Sequence, residues 1–343
     1  MGKEPLRCWP QGKVQNMCIA AAYRTKDHYF GRNLDLSYSY HETVTVVPRN
    51  FPFHFRCMGE WKRHYAMIGM AYVVDDYPLF YDATNEKGLS IAGLNFPGNA
   101  DYKELAEGKD NVAPFELIPW ILGQCVVVED VKKLLDRMNL VNMDFREDLP
   151  LAPLHWLVSD REKSITVEAV AEGLKVYDNP VELLTNNPPF PYQMFHLNNY
   201  MGLSSDAPEN HFSDRLDLKS YSLGMGAMGL PGDLSSMSRF VKAAFVKLNS
   251  VSGDSEEESV SQFFHILGSV EVPRGSVRVG ENEYEITVYT SCCNTDKGIY
   301  YYTTYENRQI SGVDMFKENL EACGLLVFPL IRGQQIRMQN EKR

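Results

Sequence analysis

Short runs of apolar and β-branched residues, broken by polar turns, recur along most of the chain. Residues 18–24 and 28–32 predict a hairpin turned at Lys26-Asp27, and 43–47 is a β-branched run. Residues 65–74, 79–83 and 88–94 continue the pattern, the last two joined by the turn Asn85-Glu86-Lys87-Gly88. Residues 154–159, 164–169 and 174–177 read as a meander, punctuated by Asp160-Arg161-Glu162-Lys163 and by Glu172-Gly173. A late hairpin covers 284–292, turns at Asn294-Thr295-Asp296-Lys297-Gly298 and returns through 299–305.

Helical spacing is confined to fewer places. Segments 115–125 and 129–138 are amphipathic, and 235–249 places Met237, Phe240, Val241, Ala244, Phe245 and Leu248 on one face. The acidic, serine-rich stretch 253–259 opens a further helix that runs through Phe264. Antiparallel hairpins with intervening helices, and no strict β-α alternation, predict an α+β layered fold. With no internal repeat and no Pro/Ser linker, one domain over residues 18–343 is the expected organisation.

Composition narrows the partners. The 343 residues are 44% hydrophobic, enough for a sizeable core, and the formal net charge is -11. An acidic chain argues against a nucleic-acid or anionic-membrane surface, since both need a basic face. No stretch reaches the roughly 18 apolar residues of a membrane span, and residues 1–16 lack the apolar block of a signal peptide. A cytoplasmic protein is expected. Its seven cysteines are scattered without a CxxC pair and read as free thiols. The eight histidines have no metal-ligand spacing, so neither a metal nor a cofactor is expected.

One cysteine stands out. In Met17-Cys18-Ile19-Ala20-Ala21-Ala22, a cut before Cys18 would put a thiol and a free α-amine on one residue. An α-amine with a pKa of about 8 can serve as the base a thiol needs. Arg32 and Asp35 follow on the next strand, although such a pair taken alone is more often a surface ion pair. Residues 1–17 have three readings: a removed propeptide, a tag or start upstream of the true initiator Met17, or an ordered arm. Each lets Cys18 be terminal in the active form.

Six segments recur in order. They are Met17-Cys18; Phe30-Gly31-Arg32-Asn33-Leu34-Asp35; Asn85-Glu86-Lys87-Gly88 with Gly93-Leu94-Asn95-Phe96-Pro97-Gly98; Leu184-Thr185-Asn186-Asn187-Pro188; Leu230-Pro231-Gly232-Asp233 through Ser238-Arg239-Phe240; and Ser291-Cys292-Cys293-Asn294 through Tyr302. In that arrangement the chain, from Met17 onward, closely resembles the choloylglycine hydrolases, the conjugated bile salt hydrolases related to penicillin V acylases.

The resemblance implies an N-terminal nucleophile hydrolase with a four-layered αββα sandwich, usually a homotetramer. It implies Cys18 as nucleophile with its α-amine as proton acceptor, Arg32 beside the thiol, and Asp35 holding the α-ammonium. Asn95 and Asn186 match the positions that bind the developing oxyanion, a task suited to fixed amide donors. Arg239 matches a second active-site arginine. Asn187 competes with Asn186, since one of the two can simply brace the turn before Pro188. The implied substrate is a glycine- or taurine-conjugated bile acid, cleaved at its amide bond. Leu34 aligns with an apolar position that contacts the bile salt, and Asn95 favours this branch over the penicillin branch, where tyrosine is common. Residues 58–66 and 128–143 are expected as cleft walls. Cys292-Cys293 reads as a buried structural pair and His41 and His196 as ordinary polar contacts. The alternatives are a penicillin V acylase and a catalytically silent bile-acid binder whose Cys18 stays internal.

Overall fold

A computed structural model describes residues 16–340, and two antiparallel sheets dominate it. In chain order their strands are β1 (Cys18–Arg24), β2 (His28–Leu36), β3 (Thr43–Val47), β4 (Met67–Val74), β5 (Tyr77–Asn85), β6 (Ser90–Asn95) and β7 (Leu154–Ser159). They continue with β8 (Ser164–Val170), β9 (Gly173–Asp178), β10 (Leu183–Leu184), β11 (Ile286–Asn294), β12 (Ile299–Thr304), β13 (Asn307–Asp314) and β14 (Leu326–Pro329). The first sheet runs β10-β1-β2-β11-β12-β13 and the second β9-β8-β7-β6-β5-β4-β3-β14. Of the expected upstream segment 1–17, residues 1–15 lie outside the described residues.

The helices cover the outer faces. Helices α1 (Leu117–Leu122) and α2 (Val128–Arg137) share a core with the outer face of the second sheet. Following α3 (Phe190–His196), α4 (Ser236–Leu248) and α5 (Glu256–Gly268) pack on the first sheet. The layers are helix, sheet, sheet, helix: the expected αββα sandwich. Ser235 caps α4, its Oγ accepting the Ser238 N–H at 3.4 Å, and Ser255 caps α5 within a capping box closed by Glu258.

Position in the stack explains the sequence of the central strands. β1 and β2 lie between the second sheet and helices α4 and α5, so nearly every residue is buried and no polar alternation survives. Packing this close restricts size: a Cβ on Gly31 would lie 2.0 Å from the Ser291 carbonyl oxygen. The expected strands all form. β10, β13 and β14 form in addition, and their sequences hide them. β10 has two residues, Asn307–Asp314 is polar and glycine-containing, and Leu326–Pro329 ends in proline, which suits an edge.

Candidate active site

Cys18 opens β1, and four elements converge on it. Its backbone N–H donates to Asn186 Oδ1 at 2.6 Å, and its carbonyl accepts from Arg239 Nη1 at 3.0 Å. Burial pushes the thiol pKa up, with Asp35 adding to the rise; Arg32, the Asp35 backbone N–H and Arg239 pull it down without prevailing. In the uncut chain the sulfur is therefore held as a thiol.

Arg32 and Asp35 arrive on β2, paired to β1 with Cys18 opposite Leu34. Arg32 is fully buried, and its Nη1 donates to the Tyr81 and Gly93 carbonyls of the second sheet, at 2.9 and 2.6 Å. Its Nε has no hydrogen-bond partner among the described residues. Burial works against the charge, but Cys18, Tyr289 and Asp82 outweigh it and hold the guanidinium protonated. Asp35 Oδ1 accepts from Thr287 Oγ1 at 2.6 Å, while Oδ2 lies 3.5 Å from Arg239 Nη1. Burial raises its pKa to about 6 against the pull of Arg239, Thr287 and Arg32. Arg32 and Asp35 are thus both interior and not surface residues, and the ion partner of Asp35 is Arg239.

Arg239 sits in the first turn of α4 and ties the group together. Nη2 donates to Asn186 Oδ1 at 3.0 Å, and Nε to the Leu234 carbonyl at 3.2 Å. Asn186 also donates from Nδ2 to the Asn95 carbonyl at 2.8 Å, so the two asparagines are joined. Asn187 instead donates to Pro97 O at 2.9 Å and accepts from Asn99 at 2.8 Å. Of the two, Asn186 meets Cys18 and Asn187 braces the 97–99 turn. The Asn95 side chain, oriented to satisfy its neighbours, donates to Pro153 O at 3.2 Å and accepts the Asn16 N–H at 3.3 Å.

Several polar residues of this neighbourhood escaped the sequence reading. Asp82 accepts from Tyr289, Tyr300 and Ser291 hydroxyls at 2.8, 2.7 and 3.2 Å, and Ser291 Oγ accepts the Arg32 N–H at 3.1 Å. Thr287 reaches Asp35 where the β2–β11 register slips between Thr287 and Tyr289, a bulge that re-aims side chains. Glu285 accepts the Met17 backbone N–H. The available signal was polarity inside an apolar strand: Thr287, Thr290 and Ser291 are buried within β11.

Cys18, Arg32 and Asn95 line a cleft whose walls are mainly apolar, including Leu34, Leu79, Phe115, Ile118, Phe145 and Leu151. Segments 58–66 and 128–143 do not line it. Trp61 packs against Trp120 with ring centroids 4.5 Å apart, and Val131, Leu134 and Leu135 of α2 face the second core. The walls come instead from 34–40, 72–81, 114–118 and 145–156. Cys292 and Cys293 are fully buried, their thiol pKa values raised by that burial. His196 contacts Asn199 and Tyr200. Among the described residues no helix is long and apolar enough to cross a membrane.

Comparison with known proteins gives a consistent picture. Residues 18–328 match the model of the linear amide C–N hydrolases, choloylglycine hydrolase family. The chain is 58% identical over 314 residues to a bile salt hydrolase/transferase of Lactiplantibacillus plantarum, covering 92% of this chain and 97% of the relative. It is 43% identical over 315 residues to a bile salt hydrolase/transferase of Clostridium perfringens, covering 89% and 94%. A crystal structure of a mutant conjugated bile acid hydrolase from Clostridium perfringens superposes with a TM-score of 0.87 at 40% identity, over 94% of this chain and 100% of that one. A penicillin V acylase from Agrobacterium tumefaciens shares the fold, with a TM-score of 0.70 at 19% identity over 92% of each chain.

Proposed function

The chain belongs to the choloylglycine hydrolase family of linear amide C–N hydrolases, and on that premise we propose that it cleaves glycine- or taurine-conjugated bile acids through Cys18 as an N-terminal nucleophile. The observation that carries the substrate is the 58% identity, over 97% of its length, with a relative named for bile salt hydrolysis. The cleft agrees in character: an apolar steroid needs apolar walls and a few polar groups at the reacting end.

In this reading the Cys18 thiol gives its proton to the freed α-amine, and the sulfur attacks the amide carbonyl carbon. Asn95 and Asn186 donate to the oxyanion, and Asn95 and Leu34 also border the bound acid. The α-ammonium returns its proton to the nitrogen of the leaving glycine or taurine, and the C–N bond breaks to leave a thioester. Water then attacks the thioester with the same amine as base. Arg32 favours thiolate over thiol once substrate enters. Asp35 holds the ammonium and Arg239 fixes Asp35, Asn186 and the Cys18 carbonyl in register. An amino acid taking the place of water would reform a conjugate, in keeping with the word transferase in the relatives' names.

Residues 18–343 are read as one domain and the protein as cytoplasmic, with no metal and no cofactor. The homotetramer is what the family resemblance implies, and the exposed Met201, Phe212, Tyr221 and Leu223 of segment 197–228 are apolar surface that association of copies could cover.

The test is amino-acid release from glycocholate and taurocholate beside penicillin V under reducing conditions. Rapid release from the bile salts with little penicillin turnover is expected, and loss of both in Cys18→Ala. Penicillin V as the preferred substrate would overturn the reading, as would turnover by the Cys18→Ala protein.

A further inference from the structure

Glu285 immediately precedes β11, 1% exposed, and lies outside every motif that pointed to the site. Its Oε1 accepts the backbone N–H of Met17, the hydrogen-bond partner that this carboxylate has among the described residues. The next peptide group is gripped as well. The Met17 carbonyl accepts the Asp35 N–H at 3.1 Å, and the Cys18 N–H donates to Asn186 at 2.6 Å. Two residues further along the chain, Thr287 supports Asp35.

A terminal Cys18 changes the balance at this point. Removal of Met17 takes away the donor that satisfies Glu285, and a buried carboxylate without a partner is costly. The same cut creates a cation, since the amide nitrogen of Cys18 becomes an ammonium. Consecutive residues are about 3.8 Å apart, so that cation forms one residue's length from the donor Glu285 has lost.

We propose that Glu285 is a positioning residue for the α-amino group of Cys18, its carboxylate passing from the Met17 N–H in the uncut chain to the ammonium in the cut one. The proposal rests on the reading that Cys18 is N-terminal in the active enzyme. The ammonium then has two carboxylates near it, Asp35 from β2 and Glu285 from the start of β11. The other charged groups facing it are Arg32 on β2, Arg239 on α4 and the Cys18 thiol itself, with Glu271 acting on Asp35 from beyond α5. Burial holds the Glu285 carboxyl up at about 7 against the Met17 N–H, with Asp35 raising it and Arg239 lowering it. A cationic partner would draw it down and so keep it charged. A negative charge there stabilises the ammonium that forms when the amine takes the thiol proton.

The test compares wild type, Glu285→Gln and Glu285→Asp, each with its N-terminus established by intact mass. Two pH profiles are measured: kcat/KM for glycocholate, and the rate of Cys18 alkylation by iodoacetamide. Removing a nearby negative charge lowers the pKa of an ammonium, so in E285Q the acid limb of both profiles should move down by roughly one pH unit. KM at the optimum should change little, and E285D should keep the wild-type limb. A merely structural role would lower amplitudes and leave the limbs in place. A cut, active E285Q with unmoved limbs overturns the proposal alone. An E285Q chain that keeps Met17 while wild type and E285D lose it also overturns it, placing Glu285 at the cut and not at the amine. An active wild type whose mass retains Met17 overturns the terminal-cysteine reading itself, and the proposal with it.

Discussion

Arg239→Met separates the charge of the arginine from its bulk, and its effect on stability should depend on pH. The guanidinium is fully buried and serves the Cys18 carbonyl, Asn186 Oδ1, the Leu234 carbonyl and Asp35. Breaking a buried ion pair by removing one partner costs about 3–5 kcal/mol, much of it the charge left behind. Here that charge is Asp35, whose pKa stands at about 6 in the folded, uncut chain and about 3.9 in an unfolded chain. Between those values the folded state binds more proton than the unfolded one, so stability falls as pH rises through the window and is flat above it. Arg239 is the largest influence holding that value down. Without it the carboxyl moves higher still, and each unit by which its pKa rises toward 8 costs about 1.4 kcal/mol at pH 8.

At pH 5 the Asp35 carboxyl is mostly protonated with or without Arg239, and that part of the loss disappears. What remains is the loss of hydrogen bonds to two carbonyls and an amide oxygen, about 1–3 kcal/mol together. Urea unfolding of the uncut chain, with and without R239M, should therefore give a difference of about 3–5 kcal/mol at pH 8, smaller by about 2 kcal/mol at pH 5. Adding Asp35→Asn should recover about 2 kcal/mol at pH 8, since contacting residues are not additive. Equal losses at both pH values, with no recovery in the double variant, would refute the idea that Asp35 is the charge Arg239 compensates.

Asn186→Ala should lower kcat for glycocholate by about 10²–10³-fold, the usual loss of one oxyanion donor. Asn187→Ala, which loosens the 97–99 turn, should cost far less; equal losses in steady-state assays would remove the distinction between them. Gly31→Ala should destabilise by about 1–3 kcal/mol or more, as overpacking does, because the new Cβ meets the Ser291 carbonyl at 2.0 Å. A thermal melt superposing on wild type would contradict the close approach of β2 and β11.

How far the site was legible in the sequence depends on where its residues lie along the chain. Arg32 and Asp35 stand on the partner strand of the hairpin that Cys18 opens, and the two apolar runs either side of the Lys26-Asp27 turn are enough to lay that hairpin out as far as Arg32. Asn186 and Asn187 are adjacent, and nothing local separates them; the separation comes from one meeting Cys18 and the other the 97–99 turn. The cleft walls failed for a different reason. Amphipathic spacing over 129–138 correctly identifies a buried face, but not what buries it, and that face belongs to the second core.

The least legible residues were single polar side chains in apolar strands, and long-range pairing gives them their meaning. Thr287 and Ser291 are more than 250 positions from Cys18 and reach the site because β11 pairs with β2. Arg32 extends the same logic between sheets: its guanidinium leaves the first sheet and ends on Tyr81 and Gly93 carbonyls of the second. Asp82 answers from the second sheet by accepting Tyr289, Ser291 and Tyr300 of the first. Each contact removes a buried polar group that would otherwise be unpaired, and each fixes one sheet against the other at the depth of Cys18. The polar groups that align the layers thus also set the charge around the thiol, so a substitution among them should move stability and thiol reactivity together.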